Sequence, residues 1–284
     1  MIMMNDHMRR MPAEWERHGA VLLAMPHDRT DWAYMLPEVT ECYRNVIKAI
    51  SLDTMTVVVT PSASDAMAAL GDGVVNDNVR FVEIPTNDTW ARDFGPLTVV
   101  DFDGNISLLD FQFNGWGLKF AACEDNLITS RMNEAGLFSV PVENHRGFVL
   151  EGGSVESDGH GIILTTSECL MSPNRNAAMS KDDIEHYLKS ALGAEKILWL
   201  DHGALEGDDT DSHIDTLCRL APDNVILYTG TARTDDVHYA GLRAMREQLA
   251  AFTDLNGAPF SLIELPLPDA VHDAETGERL PATY

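Results

Sequence analysis

The residues best suited to chemistry lie in one run, Gly207-Asp208-Asp209-Thr210-Asp211-Ser212-His213-Ile214-Asp215. Asp208, Asp209, Asp211 and Asp215 surround His213, and no basic side chain interrupts them. Ile214-Asp215-Thr216-Leu217-Cys218 reads as the opening of a strand, on which residues two apart share a face. His213 and Asp215 then project together, an imidazole able to move protons beside a carboxylate. Taken alone, the run reads equally as a solvated acidic loop.

Three further clusters add to it. In Asn87-Asp88-Thr89-Trp90-Ala91-Arg92-Asp93-Phe94-Gly95-Pro96, a tryptophan precedes an aspartate by three residues. An indole face and a carboxylate suit a small cation, and a structural tryptophan beside a turn aspartate fits the same residues. In Phe113-Asn114-Gly115-Trp116-Gly117 the glycines allow backbone to come close to a ligand, or simply make a turn. Leu150-Glu151-Gly152-Gly153-Ser154 sets a carboxylate in an apolar stretch, where it needs a partner, either an arginine such as Arg175 or a cationic substrate. Gly152 and Gly153 there imply close approach by another group. If equivalent ends of successive units converge, Asp93, Glu151, His213 and Asp215 line one pocket. That pocket calls for a cation, a planar guanidinium or a divalent metal.

The elements that must position these groups follow an α/β pattern. Ala20 to Pro26, Met55 to Thr60 and Val79 to Ile84 read as strands. Pro37 to Ile50 and Ser62 to Leu70 read as helices. A unit of strand, strand, helix, strand then recurs about every 55–65 residues. The first copy has a hairpin, Leu97 to Phe102 and Ile106 to Phe111, a helix from Asp125 to Glu134 and a strand from Leu137 to Val142. The second has strands from Gly147 to Ser157 and Ile162 to Thr166, a helix from Ser180 to Leu192 and a strand from Ile197 to Leu200. The third has strands from His213 to Leu220 and Val225 to Tyr228, a helix from Val237 to Phe252 and a strand from Ser261 to Leu265. Ser180 and Asp183 are spaced as a capping box. A further hairpin is expected to begin near Leu280-Pro281-Ala282-Thr283-Tyr284.

The bulk numbers bound the partners. With 284 residues, 45% of them hydrophobic, the chain can bury a full core. Its net charge of −25 repels nucleic acid and anionic membrane and favours cationic ligands. Cys42, Cys123, Cys169 and Cys218 are too widely spaced for a zinc knuckle or a disulfide framework, which suits a reducing, cytoplasmic setting. Met1 to His7 carries two acid-base groups and no long apolar run, unlike a signal peptide. Oligomeric state is left open, a homo-oligomer included.

Together with Met11-Pro12-Ala13-Glu14-Trp15-Glu16, Thr165-Thr166-Ser167-Glu168-Cys169-Leu170 and Pro173-Asn174-Arg175-Asn176, these clusters resemble agmatine deiminase and the wider group that includes bacterial peptidyl-arginine deiminase. The resemblance spans nearly the whole chain, in order. It implies a pseudo-fivefold α/β propeller, here about four of five blades in a single domain over 1–284. It implies hydrolysis of agmatine to N-carbamoylputrescine and ammonia, in putrescine biosynthesis, without cofactor or metal. By the same resemblance Asp93 and Asp215 grip the guanidinium, and Glu151 pairs with the histidine and the guanidinium. His213 shuttles protons, and Trp90 and Trp116 wall the pocket. Asp208, Asp209 and Asp211 suit the distal amine. The nucleophile such enzymes carry, a cysteine after a Gly-rich last strand, has no counterpart here, so the chain is expected to lack the last blade and not to deiminate by itself. Peptidyl-arginine deiminase, a metal-dependent hydrolase and a non-catalytic guanidino-binding remnant are the alternatives.

Overall fold

The computed structural model describes residues 9–274, 276–281 and 283. The N-terminal heptapeptide lies outside the described residues, as do Ala282 and Tyr284 of the expected terminal hairpin. The chain opens with β1 (Arg9–Arg10) and β2 (Ala20–Ala24). Helix α1 (Leu36–Ile50), strand β3 (Met55–Thr60), helix α2 (Ala63–Leu70) and strand β4 (Val79–Glu83) follow. β2, β3 and β4 form one wholly parallel sheet. Parallel neighbours require crossovers, and α1 and α2 supply them. Ile47 of α1 and Ala66 and Leu70 of α2 pack on Met25 and Val58.

The next three sheets share one plan. After the single turn α3 (Ala91–Phe94), β5 (Leu97–Asp101) and β6 (Ile106–Gln112) pair antiparallel. The chain passes through α4 (Gly115–Leu118) and α5 (Ile128–Glu134), and β7 (Val142–Val149) returns parallel to β6. β1 extends this sheet on the β5 edge. The plan recurs with β8 (Val155–Ser157), β9 (Ile162–Thr166), α6 (Ser167–Leu170), α7 (Lys181–Leu192) and β10 (Lys196–Leu200). It recurs again with α8 (Ile214–Leu217), β11 (Cys218–Ala221), β12 (Val225–Gly230), α9 (Tyr239–Leu249) and β13 (Ser261–Pro266). Ser180 and Asp183 make the reciprocal capping box at the start of α7.

The cores lie between neighbouring sheets. Val59 and Val82 of the first sheet meet Phe94, Phe113 and Ile128. Leu109 and Phe148 of the second meet Val155 and Ile163 of the third. Leu164 and Leu198 of the third meet Leu220 and Ile226 of the fourth.

Three strands expected from the sequence lie elsewhere. Leu137 and Phe138 do not begin a strand. Leu137 N donates to the Met132 carbonyl at 3.0 Å, wrapping the end of α5 through Gly136 at φ 68°, and both side chains join the core. The stretch 147–157 is broken, because Gly152–Ser154 forms a 3-10 turn between β7 and β8. The stretch 213–220 begins with a helical turn, closed where Thr216 Oγ1 donates to the His213 carbonyl at 2.8 Å, and becomes strand only at Cys218.

Candidate active site

Breaks in regular structure build the site. A Cβ placed on Gly153 would lie 2.6 Å from Asp215 Oδ2 and 2.7 Å from both Asp93 Oδ1 and His213 Nδ1. Only a glycine lets the backbone come this near, so three side chains from α3 and the α8 turn meet over one residue of the β7–β8 break. Gly152 is equally constrained, its Cβ position 2.1 Å from the Arg92 carbonyl oxygen. The groups approaching these glycines are protein groups, which answers the close approach read from the sequence.

Asp93 is buried and held from two sides. Its Oδ1 accepts the Gly153 N–H at 2.9 Å, and its Oδ2 accepts the Trp116 indole N–H at 2.9 Å. His213 is 1% exposed, with Nδ1 3.5 Å from Asp93 Oδ1. Its Nε2 is buried with no hydrogen-bond partner among the described residues. A buried nitrogen left unpaired costs about 1–3 kcal/mol, so this atom is one that a bound group would complete. Burial pushes the Asp215 carboxyl up to about 6, against the opposing pull of His213. A cation between Asp215 and Asp93 would restore its charge.

The turn that presents Trp116 is left-handed. Gly115, Trp116, Gly117 and Leu118 all have positive φ, and a Cβ at Gly115 would strike the Phe120 carbonyl. The glycines therefore serve the turn, which carries the indole down onto Asp93. Trp116 is buried as a donor, whereas Trp90 is 44% exposed and offers the open aromatic face. The Trp90 and Trp116 rings meet edge to face with centroids 6.4 Å apart. Trp32, whose ring centroid lies 6.0 Å from that of Trp90, extends this wall. Nothing near Trp32 in the sequence marked it for the site.

Glu151 is fully buried and already has a cation. Arg175 Nε donates to its two oxygens at 2.9 and 3.1 Å. Of the two partners left open by the sequence, the arginine occupies this carboxylate. Cys169 also packs here, with its Sγ, a Glu151 oxygen and a His213 ring nitrogen all within 4.8 Å of one another. Those three groups resemble a metal-ligand set, but both Glu151 oxygens are spent on Arg175. Burial holds the Cys169 thiol well above its usual value, so it keeps its proton. Glu151 and Cys169 pack beside the His213 ring.

The acids before His213 mostly build their own loop. Asp208 accepts from Thr210 N, Thr210 Oγ1 and Ser212 N at 3.0, 2.6 and 2.7 Å. Asp211 is bound by Lys119 Nζ and Arg175 Nη1, each at 2.6 Å. Burial opposes its ionisation, but these two cations win and hold it below the usual carboxylate range. The sequence reading offered Asp208 and Asp211 to a substrate amine; here Asp208 is engaged by its own loop and Asp211 by two cations. Asp209 is exposed, and its carbonyl accepts from Lys119 Nζ at 2.6 Å. Among the cysteines, Cys42 and Cys123 are exposed and Cys169 and Cys218 buried. Cys218 Sγ points to Met245 Sδ at 3.9 Å, in the core between the third and fourth sheets.

Carboxylates facing a histidine with an unpartnered nitrogen, beside an open indole, have the chemistry to hold a planar cation and to move protons. The model of the Porphyromonas-type peptidyl-arginine deiminase family matches residues 10–284. A Legionella pneumophila (strain Paris) protein provisionally named agmatine deiminase is 35% identical over 280 residues, covering 96% of this chain and 78% of its own. The agmatine deiminase of Medicago truncatula is 33% identical over 282 residues, covering 95% and 74%. The C. jejuni agmatine deiminase solved with substrate bound matches with a TM-score of 0.87 and 36% identity, covering 98% of this chain and 79% of that one. The chain belongs to this family of agmatine and Porphyromonas-type peptidyl-arginine deiminases, hydrolases that act on guanidino C–N bonds. Among the described residues no helix is long and apolar enough to cross a membrane.

Proposed function

We propose that the chain binds agmatine and serves its hydrolysis to N-carbamoylputrescine and ammonia, a step toward putrescine. The observation that carries this reading is the meeting of Asp93, Asp215 and His213 over Gly153. Asp93 and Asp215 hold the guanidinium nitrogens and keep the charge in place during attack on the central carbon. Once a nucleophile from outside these residues has added to that carbon, His213, through Nε2, gives a proton to the departing ammonia; it then takes one from the water that adds to the carbon and displaces that nucleophile. Trp90 lies against the alkyl chain, and Asp209 receives the distal ammonium. Agmatine is favoured over arginine or an arginyl peptide because a substrate carboxylate needs a free cation. Both bases that touch the loop are committed, Lys119 to Asp211 and the Asp209 carbonyl, and Arg175 to Glu151, Asp211 and the Thr210 carbonyl.

No nucleophile is assigned within these residues. The thiol nearest His213, Cys169, is sealed and protonated. The four sheets are read as successive blades of a pseudo-fivefold α/β propeller in one domain. A cytoplasmic setting fits the free cysteines. The test is calorimetric titration of the chain with agmatine, arginine and a peptide ending in arginine, with ammonia release followed in parallel. Agmatine is expected to bind at least tenfold more tightly than either competitor. Failure to bind agmatine, or tighter binding of arginine or the peptide, overturns the reading.

A further inference from the structure

Arg175 is the cation at the heart of the site, and neither the binding of substrate nor the proton transfers described above uses it. Its side chain is wholly enclosed. Nε is spent on Glu151, Nη1 on Asp211 Oδ2 at 2.6 Å, and Nη2 on the Thr210 carbonyl at 2.9 Å. A planar guanidinium is thus spread over three acceptors, two from the loop before His213 and one from the break that carries Gly153. The link to His213 is short, since Thr210 Oγ1 accepts the His213 N–H at 3.0 Å. Asp211 and Ser212, between them, stand at φ 64° and 61°. Side-chain-bearing residues adopt this conformation only when their surroundings impose it. Arg175 supplies part of that constraint. Asp208 on Ser212 N and Thr166 Oγ1 on the Ser212 carbonyl, at 2.8 Å, supply more.

We propose that Arg175 is a positioning residue: it locks the Glu151 carboxylate and the Thr210–Asp211 backbone into one unit, and so fixes where His213 stands over Gly153. The proposal rests on the guanidino-binding reading above and adds a role for Glu151. Glu151, with its oxygens on Arg175, anchors the loop, and the grip on a substrate guanidinium falls to Asp93 and Asp215. Lysine cannot replace Arg175, because a single ammonium on a flexible stem does not match three acceptors laid out for a guanidinium. Without any cation, Glu151 becomes a buried carboxylate with no counter-charge, and the loop loses its tie.

The test uses the whole chain with Arg175→Ala and Arg175→Lys. It measures agmatine affinity by calorimetry, and thermal unfolding in low-millimolar guanidinium chloride or ammonium chloride at equal ionic strength. Both variants are expected to lose at least tenfold in agmatine affinity. Guanidinium, which fits the emptied seat, is expected to raise the melting temperature of Arg175→Ala by more than it raises that of the wild type, and ammonium is not. Wild-type affinity in Arg175→Lys, or equal effects of the two salts on Arg175→Ala, overturns the proposal. If Arg175→Ala does not fold, agmatine affinity in Arg175→Lys decides. If the wild type itself fails to bind agmatine, the functional reading falls, while the salt-specific rescue, which involves no agmatine, still decides the role of Arg175.

Discussion

Replacing Gly153 with alanine adds one methyl group at the point where the site is assembled. The new Cβ would stand 2.6 Å from Asp215 Oδ2 and 2.7 Å from Asp93 Oδ1 and His213 Nδ1. Ordinary carbon–oxygen contact needs roughly 3.3 Å or more, so each group must retreat by about 0.6 Å, and they share little room to do so. Asp93 also accepts the Gly153 N–H at 2.9 Å, so its retreat stretches a bond to the residue that displaces it. Overpacking of this kind costs about 1–3 kcal/mol, equivalent to roughly 5- to 150-fold in an equilibrium constant. Gly153→Ala is therefore expected to weaken agmatine binding by at least fivefold in calorimetry and to lower the melting temperature. Gly147→Ala is the control, because its Cβ meets nothing within 4 Å. Gly153→Ala that binds agmatine within twofold of the parent and melts with it would refute the convergence of the three side chains on this residue.

Three further predictions concern a hydrogen bond, the buried carboxyls and a helix glycine. Trp116→Phe keeps the ring but removes the donor to Asp93, a charge-assisted bond worth about 1.5–3 kcal/mol; agmatine affinity should drop about tenfold or more, and an unchanged affinity would show the bond to be dispensable. Burial raises Asp215 to about 6 and Asp125 and Glu156 to about 7. A raised carboxyl binds its proton more tightly when folded, so its support is full below pH about 4 and is lost as pH rises through 6–7. The ligand-free chain should melt lower at pH 7.5 than at pH 5, with a shallower slope in Glu156→Gln, while agmatine binding should strengthen over the same window and lose part of that gain in Asp215→Asn; a melting temperature that rises with pH would contradict the shifts. Gly241, inside α9 with no heavy atom within 4 Å of its Cβ position, should gain about 0.5–1 kcal/mol on replacement by alanine, read from denaturant unfolding.

Local pattern carried much of this architecture. An unbroken β-branched run marks β3 at Met55–Thr60, and apolar spacing marks α1. Such signals are legible because each residue's burial there follows from its neighbours a few positions away. The same holds for the Ser180–Asp183 cap, whose partners are three residues apart. The residue types of the site were legible too, since buried or clustered carboxylates, an imidazole and indoles have few other uses together.

What the sequence could not settle was how those groups are shared out. Asp208, Asp209 and Asp211 look alike in the chain, yet one builds the loop, one stays in solvent and one is held by two cations. Glu151 could have met a substrate or an arginine. The arginine that meets it lies 24 residues on, and the aspartate on the same guanidinium 36 residues beyond that arginine. The left-handed residues at 115–118 and 211–212, which aim Trp116 and His213, have no periodicity to betray them. At Trp116, Leu118, Asp211 and Ser212 these conformations are unfavourable locally and persist because the surrounding contacts outweigh the local preference. Which carboxylate remains available for a ligand is thus a property of long-range pairing, and the tertiary structure decides it.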